Sequence, residues 1–171
     1  GGVLALIIAA FLIFGNQKTA SVTNEVKLYT TMVDVENSTN RSKSLIKNST
    51  LAAINGNMRT TLVNATRDME TPLTNMGQDP TKLSSAGKTG QYNDGKFDAA
   101  LEDARLNGTY DRVYANEVDT KMKYMIAYME NIKKNNKRKS MQEFISKNEN
   151  SIKTIQKSID DWSKSDEANL Y

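Results

Sequence analysis

Gly87, Lys88 and Thr89 have the composition of the tail of a phosphate-binding loop, in which backbone amides and a lysine cradle phosphate oxygens. Such a loop also needs a glycine five positions before Gly87, where this chain has Lys82, and a β-strand in front of it. The segment therefore reads as a flexible loop. Asp94, Asp98, Glu102 and Asp103 could be imagined around a cation, but the alternating oxygen ligands and the turn glycine of a calcium loop are missing. Asp98 and Glu102, four residues apart, read as a solvated helix face. The run from Lys133 to Lys139 (KKNNKRK) has no aromatic side chain on which a base could stack, so it reads as an exposed turn between helices. Met122, Met125 and Met129 could offer a soft binding stripe, yet at helical spacing they read first as core. Cys and His are both absent, which removes disulfides, imidazole bases, Cys nucleophiles and every Cys- or His-based metal site. No catalytic, cofactor-binding or metal-ligating residue emerges, and the expected class is a non-enzyme.

The elements around these residues are helical in pattern. In 171 residues there are only 2 Pro and 9 Gly, which disfavours a turn-rich β-fold. A net charge of +3 reflects 23 basic against 20 acidic side chains, a nearly balanced surface with no call for nucleic acid as partner. Val22, Val26, Tyr29 and Val33 recur at spacings of four, three and four, and a second stripe runs Leu51, Ile54, Met58, Leu62, Ala65 and Met69 to a stop near Pro72. A third comprises Tyr114, Val118, Met122, Met125, Met129 and Ile132. The last, Met141, Ile145, Asn148, Ile152, Ile155, Ile159 and Trp162, is heptad-like. Residues 74–96 gather Gly77, Pro80, Gly87, Gly90 and Gly95 and are expected to form one long loop.

The first fifteen residues, GGVLALIIAAFLIFG, carry no charged or polar side chain. Val3, Leu4, Leu6, Ile7, Ile8, Phe11, Leu12, Ile13 and Phe14 are the candidate membrane anchor. As a helix, fifteen residues cover roughly 22 Å of a hydrocarbon core about 30 Å thick, so spanning requires further apolar residues before Gly1. A signal peptide cut near Thr19, Ala20 and Ser21, or a buried core helix, are the competing readings. The expected fold is all-α: an apolar membrane anchor over residues 1–20 continuing into an antiparallel four-helix bundle over 21–171.

The polar stretch between the first two stripes carries a family resemblance. Residues 35–50, VENSTNRSKSLIKNST, are similar to the segment VENQLQRRADLIPNLV that follows the transmembrane helix of LemA proteins. Val35, Glu36, Asn37, Arg41, Leu45, Ile46 and Asn48 fall in register, and Leu28 matches a hydrophobic position seven residues earlier. Thr61, Leu62, Ala65 and Thr66 resemble the family's ETLEAVTEAR helix, and Glu149, Asn150 and Ile152 its ENRI segment. The resemblance covers residues 28–69 and 149–162. Met32 replaces a tryptophan, Lys47 a proline, and Ser42 and Ser44 an arginine and an aspartate. The family's flanking Tyr-Asn pairs are missing, and Leu73 to Ser140 matches no segment of it.

The resemblance implies a membrane-anchored antiparallel helical bundle of the bacterial envelope or, in one branch, of magnetosome membranes, with no catalytic residues to carry over. A non-enzymatic scaffold or interaction module is the first functional expectation, with membrane lipid, further copies of itself or other membrane proteins as partners. It would be single-pass in the cell envelope or an internal membrane. The alternative is a pilin-like subunit of a filament or virion packed through its apolar N-terminal helix, although Ala5 stands where most pilins carry a glutamate. A ligand-sensing periplasmic bundle is the third reading.

Overall fold

The computed structural model describes residues 19–89 and 96–170. Six α-helices fill them: α1 (Thr19–Ser42), α2 (Ser49–Thr74), α3 (Pro80–Lys88), α4 (Lys96–Asn107), α5 (Tyr110–Asn135) and α6 (Lys139–Ser163). A short 3-10 turn, Asp166–Leu170, follows. No strand occurs among the described residues, and no helix among them is long and apolar enough to cross a membrane. The anchor residues Val3 to Phe14, the Val22 side chain and Asp94 lie outside the described residues.

The all-α arrangement is bundle-like, and polar bonds join its long helices. Asn55 of α2 donates to the Thr39 carbonyl of α1 at 3.1 Å. Lys121 of α5 meets Asp34 of α1 at 3.3 Å, and Tyr110, at the start of α5, meets Ser42, at the end of α1, at 2.8 Å. Gln156 of α6 donates to Asp119 of α5 at 2.8 Å, and Lys147 pairs with Asp68 of α2 at 2.9 Å. These bonds tie α1 to α2 and α5, and α6 to α2 and α5. The apolar stripes face inward as their periodicity demands: Met122, Met125, Met129 and Ile152 are fully buried, as are Met58, Leu62 and Met69. The three methionines of α5 are core.

One helix boundary departs from expectation in its cause. Pro72 does not stop α2, which continues to Thr74. Proline so near the C-terminus sacrifices one hydrogen bond, while its ring is buried. The stop is Gly77, at φ +76, where the Gln78 amide bonds back to the Leu73 carbonyl at 3.0 Å. Glycine alone adopts this left-handed turn without cost to a side chain. Gly108, at φ +73, ends α4 in the same way, with Thr109 bonding to the Ala104 carbonyl.

The expected loop over 74–96 contains helix α3, which corrects that reading. Asp79 caps it by accepting from the Thr81 and Lys82 amides at 3.0 and 3.2 Å, and Pro80 occupies the first turn, where no amide is required. Leu83, Ala86 and Gly87 are buried, and α3 packs chiefly on α1. Gly87 is there because of proximity. A Cβ at that position would lie 2.9 Å from Val33 Cβ and 3.0 Å from the Thr30 carbonyl oxygen. Gly87 and Lys88 of the GKT tripeptide thus end a packed helix with Thr89 as its C-cap, neither a phosphate loop nor a flexible one.

Candidate functional site at the motif end of the helices

The residues of the family motif fall on the second half of α1 and on the turn into α2. Val35 is fully buried. Glu36 lies 3.9 Å from Arg59, and Asn37 is partly buried. Arg41 is exposed and bonds to Ser38 at 3.1 Å and to Asp98 at 2.5 Å. Leu45 is exposed, and Ile46 packs partly buried against the core. Only Asn48 enters a dense polar cluster.

Asn48 does three things at once. Its Oδ1 accepts from the Leu51 amide at 2.9 Å, which caps α2, and from the indole Nε1 of Trp162 at 3.0 Å. Its Nδ2 donates to Glu167 at 3.2 Å, which draws the C-terminal 3-10 turn onto the α1–α2 connection. The backbone amides of Lys47 and Asn48 both donate to the buried carboxylate of Asp111 in the first turn of α5, Asn48 at 2.7 Å. A carboxylate at a helix start is also favoured by the helix dipole. Four chain segments converge here on two side chains, Asn48 and Asp111.

A neighbouring set ties α1, α2 and α5 together. Tyr110 and Tyr114 stack with ring centroids 6.0 Å apart. Tyr114 donates to Asn55 at 2.5 Å, while Asn55 donates to Thr39. Burial raises the phenol pKa of both tyrosines; the neighbouring Tyr110 lifts Tyr114 further, while the hydrogen bond between Ser42 and Tyr110 partly offsets the rise at Tyr110. Both phenols are neutral at any physiological pH, and Tyr114 serves as a structural donor. Deeper along α1, Asp34 lies beside Lys121, whose ammonium also sits 5.3 Å from the Phe97 ring centre. Burial raises the Asp34 pKa despite that lysine.

Chemically the arrangement positions backbone. Asp111 faces two amides and Asn48 has used its oxygen and its amide. Of the acidic residues singled out in the sequence, Asp98 pairs with Arg41 and Glu102 with Arg105 at 2.7 Å. Among the described residues no group of three or more acidic side chains is placed to hold a metal ion. Glu149 of the ENRI-like segment lies between Lys133 at 2.9 Å and Lys153 at 2.6 Å, and hydrogen bonds from both lysines hold its carboxyl below the ordinary glutamate range. Asp111, Asn55 and Tyr110 carried no sequence signal, because a lone polar residue in a helix pattern gives no hint of which distant turn it will meet. Compared with family models, curated proteins and solved structures, the chain matches none.

Proposed function

We propose that this chain is a membrane-anchored, LemA-like protein in which an apolar N-terminal segment leads into an antiparallel four-helix bundle that acts, without catalysis, as a scaffold or interaction module. The supporting observation is the place of α1. It begins at Thr19, just after the uncharged run of residues 1–15, and packs against α2, α3 and α5. An anchor in that run would tether the protein through this helix. Anchoring confines the bundle to two dimensions and raises its effective concentration for lateral capture of further copies or of other membrane proteins. The bacterial envelope or an internal membrane is the setting this reading implies.

The polar groups of the motif end fit a structural role, since they bond to one another and leave the outer helix faces for partners. Fractionation tests the reading. The full chain should stay with membranes through carbonate extraction, and a chain starting at Ser21 should remain helical and leave the membrane fraction. Recovery of the full chain in the soluble fraction overturns it. Sedimentation as a lipid-free assembly would favour the filament or virion subunit instead.

A further inference from the structure

At the other end of α2, helices α1, α2 and α3 enclose a cleft of about 450 Å³. That size lies within the range of small-molecule sites. Its α2 wall carries Glu70 and Thr71. Its α3 wall carries Thr81, Ser84 and Lys88, whose spacings of three and four place them on one helix face. Its floor is Tyr29, only 2% exposed. Neither Glu70 nor Lys88 has an ion-pair partner among the described residues, and the Tyr29 hydroxyl has no hydrogen-bond partner among them.

The Tyr29 ring is buried, but its hydroxyl is not cut off from water, so it opens into the cleft and is available to whatever enters it. Burial, and then the nearby charge of Glu70, push Tyr29 up to about 12, so the hydroxyl stays protonated and can both donate and accept. The cleft thus has a negative wall, a positive wall lined by hydroxyls, and a phenol hydroxyl at its floor. We propose that it binds a small zwitterion, with the ammonium group at Glu70 and Tyr29 and the anionic group at Lys88, Ser84 and Thr81. Two sources carry that chemistry: a phosphoethanolamine lipid headgroup and a free amino acid. The inference rests on the cleft alone and does not depend on membrane attachment.

Calorimetric titration of the full chain in a non-ionic detergent tests it, with O-phosphoethanolamine and glycine as zwitterions and with ethanolamine and inorganic phosphate as single-charge controls. A zwitterion should bind saturably and about tenfold or more tighter than either control, because each control leaves one wall unpaired. E70Q and K88Q should each weaken it by about tenfold with unchanged circular dichroism, since both side chains are exposed. Y29F should weaken it less. Tighter binding of phosphoethanolamine identifies a lipid headgroup, and tighter binding of glycine a free solute. The proposal is overturned if neither zwitterion binds up to about 10 mM, if phosphate alone binds equally well, or if E70Q and K88Q bind as the parent does.

Discussion

Replacing Asn48 with Ala removes three bonds from one buried side chain, and the structure says how the cost divides. Loss of the Leu51 cap costs about 1 kcal/mol. Trp162, itself 4% exposed, is left with an indole N–H that has lost its acceptor, which costs about 1–3 kcal/mol more. The weaker bond to Glu167 adds little. The total is about 2–4 kcal/mol, read as a lower urea midpoint at unchanged slope. Asn48→Ser separates the parts, because serine still caps α2 but cannot reach the indole. Trp162→Phe removes the donor itself, so the double variant N48A/W162F should cost about 1–2 kcal/mol less than the sum of the single variants. The backbone bonds of Asn48 to Asp111 survive in every variant and do not confuse the cycle. If N48A lies within about 0.5 kcal/mol of the parent, or the two changes are additive within about 0.5 kcal/mol, Asn48 does not join these segments.

Ile155→Asp should cost several kcal/mol in thermal or urea denaturation, since Ile155 is 8% exposed in the core face of α6 and the new carboxylate would have no partner there. Gly87→Ala gains about 1 kcal/mol of helix propensity but places a methyl against Val33 Cβ and the Thr30 carbonyl, neither of which can rotate away; net destabilisation of about 1–3 kcal/mol is expected, and a rise in melting temperature would refute the close packing of α3. Acid should weaken the fold through Glu149 and Asp68. Burial alone raises Asp68, but hydrogen bonds from Lys147 and Asn148 and the charges of Lys147 and Arg67 more than reverse it, so both carboxyls titrate below their ordinary values of 4.5 and 3.8. Their contribution is complete above those values and is lost as pH falls through the lowered ones, so E149Q should show a smaller stability difference between neutral and acid solution. At the alkaline end, Tyr29 should titrate near 12 in an ultraviolet difference titration, and the stability that its neutral form provides should decline from pH 10 upward.

How much of this was legible depends on how many sides of a helix are covered. The stripe of α6 is clear in the sequence because α6 keeps one face in water, so Ile152, Ile155, Ile159 and Trp162 repeat against Lys and Asp. Helix α1 is enclosed by α2, α3 and α5, and it buries Thr30, Asp34, Ser38, Thr39 and Ser42 along with its apolar residues. The stripe Val22, Val26, Tyr29 and Val33 is legible in its first half, but where polar and apolar residues alike are covered on several sides the pattern is lost, and the segment from Glu36 to Ser44 looks like a polar connection. Its buried hydroxyls are tolerated because the backbone or a neighbour takes up the bond: Thr30 donates to the Val26 carbonyl at 2.8 Å, Thr39 to that of Glu36 at 2.6 Å, and Ser42 meets Tyr110. The same enclosure hid α3. Its Gly and Pro count argues for a loop, yet Asp79 followed by Pro80 is a helix start, and Gly87 is what lets α3 approach α1 closely enough to cover Val33. Reading residues 74–96 as one long loop therefore misses one wall of the cleft over Tyr29. The glycine that most resembled flexibility is the residue on which the closeness of that wall depends.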